Sequence, residues 1–171
     1  MAKFEILDNY KNAGINLPVR ATEHSAGYDF EAAEEVVIPS FWNLKGLMDQ
    51  HFTEDMDTLK NVAKITEINN TRPRLIPTGI TCKLADDEYL EIVARSSLPL
   101  KHWLVLANGV GIIDSDYYGN EIKFQYMNFS PCDIIIHKGD RIGQGIIHKY
   151  ITTEDDMPGG KRTGGFGSSG Q

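Results

Sequence analysis

Short β-rich runs, each closed by turn-forming residues, set the narrowest limit on what this chain can fold into. Residues 4–7, 34–38, 79–84, 88–94, 120–129, 133–137 and 145–151 are brief runs of strand-favouring residues. Within Glu121-Ile122-Lys123-Phe124-Gln125-Tyr126 polar and apolar residues alternate, as a half-buried strand requires. The breaks carry turn chemistry: Pro77-Thr78-Gly79, Tyr118-Gly119-Asn120, Ser130-Pro131 and Lys138-Gly139-Asp140. Many short strands at this spacing predict an all-β domain built as a sandwich, jelly roll or barrel. A length of 171 residues allows one such domain, with at most an appendage.

Two segments depart from the pattern. From Ser40 onward the spacing turns helical: Phe41, Leu44, Met48 and Phe52 share one helical face, with Ser40 as N-cap. Thr53 offers a second cap, and Met56, Leu59 and Ala63 form another apolar stripe. The expectation is a helical insertion over residues 41–70, packing its stripes on the β domain or serving as a partner-binding module. The other departure is the tail, residues 158–171, which holds 6 of the chain's 16 glycines. Such a tail cannot build a core. It does place one aromatic, Phe166, beside Lys161 and Arg162 among glycine amides, the groups a base-stacking ring and a phosphate clamp need together.

Charge and cysteine usage exclude several classes. A formal charge of −7 argues against a general nucleic-acid binder, because phosphate backbones reward a basic face. A small phosphorylated ligand held by a few local cations and a metal stays compatible with it. Cys82 and Cys132 lie far apart with no paired thiol motif, so neither a zinc site nor a disulfide scaffold is indicated. No apolar run reaches the roughly 18 residues of a membrane helix. The expectation is a soluble protein of the cytoplasm, with no direct nucleic-acid or membrane partner.

Five separated motifs narrow the reading further. They are Ala26-Gly27-Tyr28-Asp29-Phe30, Ala94-Arg95-Ser96-Ser97-Leu98, and Asn108-Gly109-Val110-Gly111-Ile112-Ile113-Asp114-Ser115-Asp116-Tyr117. Gly139-Asp140-Arg141-Ile142-Gly143-Gln144 and Arg162-Thr163-Gly164-Gly165-Phe166-Gly167-Ser168-Ser169-Gly170 follow. In this order they resemble the trimeric dUTP diphosphatases (dUTPases). The resemblance implies a distorted jelly-roll or β-clip barrel over residues 1–157, with the insertion at 41–70 and a glycine-rich arm at 158–171. It also implies a homotrimer with active sites between subunits, the arm closing over bound dUTP. The expected reaction is Mg2+-dependent hydrolysis of dUTP to dUMP and diphosphate. That activity limits uracil incorporation into DNA and supplies dUMP for dTMP synthesis.

The same resemblance assigns roles residue by residue. Asp114 matches the carboxylate that orients and deprotonates the attacking water, work a hydrogen-bonded carboxylate can do. Read without the motif, it is a turn aspartate capping backbone amides. Asn108 and the backbone through Gly111 and Ile113 match the hairpin that reads uracil, and Tyr117 matches the aromatic under the deoxyribose. Arg95, Ser96, Ser97 and Gln144 match phosphate-binding positions. Arg162, Gly167 and Ser168 do so on the arm, where Phe166 matches the residue that stacks on the base. Read by itself, Arg95 is a strand-end arginine paired to a carboxylate. Arg141 is expected to neutralise a nearby acid.

Mg2+ in this family is held by phosphate oxygens and waters, so no direct protein ligand is expected. Asp29 either touches those waters or braces the core. Three departures stand out. Lys161 occupies the position where the arm arginine is commoner, Gly143 stands where alanine is usual and is expected to loosen its strand, and the insertion is extra. Some phage relatives carry insertions and contact a repressor protein, so a phage origin and a repressor-like partner on the insertion are expectations of the resemblance. Two rival functions are a regulatory binding protein on the same scaffold and a dCTP deaminase.

Overall fold

The computed structural model describes residues 1–42, 72–157 and Gly165. The predicted helical insertion, beyond Phe41 and Trp42, and the arm apart from Gly165 lie outside the described residues. The strands are β1 Lys3–Ile6, β2 Val19–Arg20, β3 Tyr28–Glu31, β4 Val36–Ile38, β5 Arg74–Pro77 and β6 Ile80–Lys83. They continue as β7 Glu88–Ala94, β8 Leu104–Leu106, β9 Gly111–Asp114, β10 Lys123–Asn128, β11 Ile134–Ile136 and β12 Arg141–Lys149. One short helix, α1 Ser97–His102, joins β7 to β8 among the described residues. Pro99 sits within its first turn, where a missing N–H costs nothing.

Antiparallel pairing organises these strands into sheets. The largest has the order β2-β3-β12-β7-β9, and a second has the order β5-β10-β8. Two ribbons, β1-β6 and β11-β4, complete the all-β architecture that the run pattern predicts. The inward faces meet in one core. Phe30 on β3, Leu90 on β7, Phe124 and Tyr126 on β10, and Ile142 on β12 are all fully buried. Phe30 bridges the layers: its ring lies 5.4 Å from Phe4 edge-on and 5.6 Å from Phe124. Each such ring stabilises the fold by about 2–3 kcal/mol through area removed from water.

Alternation along β10 follows the sequence directly. Phe124, Tyr126 and Asn128 are buried, while Lys123, Gln125 and Met127 face outward. The buried polar groups find partners: the Tyr126 hydroxyl donates to the Ile142 carbonyl at 2.6 Å, and Asn128 Nδ2 to the Ile38 carbonyl at 2.9 Å. Burial pushes the Tyr126 hydroxyl's pKa up.

β12 corrects one sequence expectation: it begins at Arg141 and not at 145. Its pairing with β3 shifts register between Arg141 and Gly143, an irregularity at the glycine where a looser strand is expected. Gly143 pairs with Ala94 on one side and Phe30 on the other. A Cβ there would lie 2.0 Å from Phe124 Cε1, far inside contact distance, so the missing side chain makes room for a buried ring. Gly145 does the same for Phe30, whose Cε2 would be 2.7 Å from an added Cβ. These glycines therefore serve core packing.

Candidate active site

The third motif folds into a turn that joins the two main sheets. β8 pairs with β10 in one sheet, and β9 pairs with β7 in the other. The connection at 107–110 therefore crosses between them. Ala107 N–H donates to the Gln125 carbonyl at 2.8 Å, and Gly109 N–H to the Leu106 carbonyl at 2.9 Å. Gly109 takes φ +69°, a left-handed conformation that favours glycine. Gly111 begins β9 opposite Ile92, and a Cβ there would lie 2.5 Å from Ile92 Cγ1. The same point is 3.3 Å from Asn108 Nδ2, so the Asn108 amide lies over the glycine.

This turn walls a pocket. Asn108, Gly111, Ile113 and Tyr117 line it together, with Lys123 and Gln125 of β10 on the far side. Tyr117 follows β9 in a short 3-10 turn, Ser115–Tyr117, and is buried. Its hydroxyl donates to the Glu121 carbonyl at 3.1 Å, which sets the ring's angle. Gly165, the one described residue of the arm, lines the same pocket. A Cβ on Gly165 would lie 2.7 Å from Tyr117 Cε2, so the arm's backbone rests directly on that ring.

Asp114 ends β9 and sits directly opposite Tyr89 on β7. Strand alternation sends its side chain to the face opposite that of Ile113, beside Ile112, Tyr89 and Tyr150. It is half-buried, with backbone angles in the extended region.

A second cluster forms around Asp29, which is 5% exposed. Its Oδ1 lies 3.3 Å from Arg95 Nε and accepts from Gln144 Nε2 at 3.2 Å. Its Oδ2 accepts from Arg141 Nη1 at 3.3 Å. One buried carboxylate thus orients two guanidinium groups and an amide, an arrangement that compensates its own desolvation. Gly27 packs over Gln144, its position for a Cβ being 3.0 Å from Oε1. Ser96 is exposed at the cap position of α1, and Ser97 lines a groove with Arg95 and Arg141.

Asp114 and the Asp29 cluster lie at opposite ends of β7. Asp114 faces Tyr89 near its start, and Arg95 follows its last residue, Ala94. Six residues of extended chain span about 20 Å. Gln144 pairs with Val93, four residues from Tyr89 and one strand further across. Arg162, Phe166, Gly167 and Ser168 lie outside the described residues. Among those described, no three metal-binding side chains converge, and the one buried carboxylate of the motifs is committed to arginine. The buried Cys82 is not placed as a nucleophile: burial pushes its thiol up to about 12.

Motif spacing did not single out Lys123 and Gln125 as pocket residues. Their signal was the alternation of residues 121–126, which assigns Lys123 and Gln125 to the face opposite Phe124.

Comparison with known proteins identifies the family. The dUTPase family model matches residues 60–170. The deoxyuridine 5'-triphosphate nucleotidohydrolase of Lactococcus lactis subsp. lactis is 40% identical, over 98% of this chain and 96% of its own. The enzyme of the same name from Rickettsia canadensis is 39% identical over 98% and 95%. The crystal structure of the Streptococcus mutans dUTPase superposes with a TM-score of 0.67 at 29% identity, over 88% of this chain and 98% of that one. A dUTPase from phage phi11 of S. aureus, with a species-specific insert, shares the fold with a TM-score of 0.65 at 16% identity, over 95% and 99%. Family match and near-complete alignment at this identity lead to one conclusion: this chain belongs to the dUTPase family and is a dUTP-hydrolysing enzyme.

Proposed function

We propose that the chain hydrolyses dUTP to dUMP and diphosphate at sites completed between the copies of a homotrimer, with Asp114 as general base. The observation that carries this is the span of about 20 Å between Asp114 and Arg95 along β7. A base and a phosphate ligand that far apart on one chain cannot serve one α-phosphorus, whereas neighbouring copies can bring them together. The pocket of Asn108, Gly111, Ile113 and Tyr117 then receives uracil and deoxyribose, and the partner's Arg95 cluster receives the phosphates.

Each group has a task suited to its chemistry. The narrow turn offers fixed amides and carbonyls to the uracil edge, rejecting cytosine by mismatched hydrogen bonds. Gly111 leaves the room that Ile92 and the base both need. Tyr117, held by Glu121, offers a ring face to the sugar and leaves no space for a 2′-hydroxyl. Asp114 accepts the proton of the attacking water. Arg95, with Ser96, Ser97 and Gln144, binds the phosphate oxygens; the buried Asp29 fixes Arg95 and Gln144 beforehand, so little order is lost on binding. Mg2+, held by the triphosphate and waters, supplies charge neutralisation. Residues 1–157 form the β domain and 158–171 the arm, whose Gly165 already rests on Tyr117; Phe166, Arg162, Gly167 and Ser168 add the stacking and phosphate contacts. The cellular role that follows is to limit uracil in DNA and supply dUMP in the cytoplasm.

Two inactive variants test the shared site. Asp114→Asn should bind dUTP but hydrolyse it at least ~100-fold more slowly. Arg95→Ala should bind the triphosphate poorly. Unfolding and refolding the two together should recover part of the activity, because some mixed sites then hold both native residues. No recovery, from mixed trimers shown to form by mass, would mean that base and phosphate ligands come from one chain.

A further inference from the structure

Gln125 has hydrogen-bonding capacity that nothing in the described fold consumes. It faces outward on β10, half-buried, in the wall of the Asn108–Tyr117 pocket. Its outward neighbours differ from it. Lys123 Nζ is engaged by Glu121 Oε2 at 3.2 Å, and the Met127 side chain carries no N–H or O–H donor. Among the described residues no hydrogen bond to the Gln125 carboxamide is found, although its backbone carbonyl accepts from Ala107. That backbone bond also locates it. β10 places Lys123 towards Tyr117, which is anchored on Glu121, and Gln125 two residues on, next to the 107–109 turn and Asn108.

From this position we infer that Gln125 is a further substrate-binding residue, donating from its carboxamide to a carbonyl oxygen of the pyrimidine held in the pocket. The inference rests on the proposed reading of that pocket as the base site. A carboxamide carries both donor and acceptor and can turn over. Gln125 therefore adds affinity for a pyrimidine without separating uracil from cytosine; that discrimination stays with the rigid backbone of the turn. The contact forms in the ground state and persists through the reaction, so its loss raises KM and leaves kcat unchanged.

Steady-state hydrolysis of dUTP by Gln125→Ala and Gln125→Glu tests the role, with Asn108→Ala alongside. The net worth of one hydrogen bond predicts KM raised about 3- to 10-fold in Gln125→Ala at constant kcat, with the dUTP-to-dCTP preference unchanged. Gln125→Glu keeps the size of the side chain but removes the donor and points a charge at carbonyl oxygens, so its KM should rise at least as much. A purely structural Gln125 on an outward strand face would tolerate the Glu variant. Unchanged KM in both, with Asn108→Ala strongly impaired, overturns the inference and leaves the base site standing. Unchanged dUTP binding in Asn108→Ala would instead remove the base from this pocket. A fall in kcat in the Gln125 variants, without a rise in KM, also overturns the inference.

Discussion

The pocket under the 107–110 turn and the cluster around Asp29 are both built on β7 and its neighbours, yet they solve recognition in opposite ways. The cluster satisfies itself. Asp29 is buried and takes hydrogen bonds or ion pairs from Arg95, Arg141 and Gln144, so its charges are oriented before any ligand arrives. The pocket leaves its groups open, with Asn108 and Gln125 facing space and the glycine backbone supplying shape. A flexible, highly charged triphosphate is best met by pre-oriented cations. A flat, neutral base is best read by backbone amides whose positions cannot drift. The comparison predicts that damage to the cluster appears as lost stability, and damage to the pocket as lost binding.

The largest effect should come from Asp29→Asn. Neutralising the buried carboxylate leaves Arg95 and Arg141 facing one another without their anion. Breaking a buried pair of this kind costs about 3 kcal/mol, read as a lower denaturant midpoint at unchanged slope. Arg141 is half exposed and water relieves part of the strain, so the cost should not rise much above that figure. Deoxyuridine should still bind to the folded variant. A loss below about 0.5 kcal/mol would show that the arginines do not depend on Asp29, and the contrast with the pocket would fail.

One added carbon in each region gives a sharper test. In Gly143→Ala the methyl would lie 2.0 Å from the ring of Phe124, which is fully buried and cannot retreat. Overpacking of this kind costs about 1–3 kcal/mol. Phe124→Leu should relieve part of it, so the double variant should be less destabilised than the two single costs added. In Gly111→Ala the methyl would meet Ile92 Cγ1 at 2.5 Å, but here the pocket is open on one side. The turn can shift into that space, so stability should fall less while deoxyuridine affinity falls more. Equal stability losses with unchanged binding would erase the distinction.

How far the sequence foretold this molecule depends on the kind of signal. The alternation in residues 121–126 predicted β10, because one face of that strand is core and the other is solvent. Five strands were not separately expected: β2, β3, β5, β8 and β9, each two to four residues long. The first half of β12 was missed for a physical reason. Gly143 and Gly145 imitate a break, while their true cause, Phe124 and Phe30, lies far away in sequence. Motif order nominated residues for the site, but not their distribution. That Asp114 lies opposite Tyr89 near the start of β7, while Arg95 joins Asp29 just past its end, follows from strand register, which no local pattern encodes.

The smallest expected effect concerns salt. Ions screen the cluster's attraction for phosphates, since the Debye length falls from roughly 14 Å at ~0.05 M to about 4 Å at ~0.5 M. Competitive inhibition by diphosphate should therefore weaken several-fold over that range. The proposed role of the pocket is to bind a neutral base through hydrogen bonds and shape, and inhibition by deoxyuridine should then change by less than about twofold. Arg95 and Arg141 retain 26% and 51% side-chain exposure, enough for solvent ions to reach them and too much for the effect to be masked by burial. If deoxyuridine proved as salt-sensitive as diphosphate, a charged group would have to lie against the base. Lys123, whose partner Glu121 is only 14% exposed, is the cation nearest to that role. Lys123→Met would then abolish the salt dependence of deoxyuridine binding and leave that of diphosphate intact.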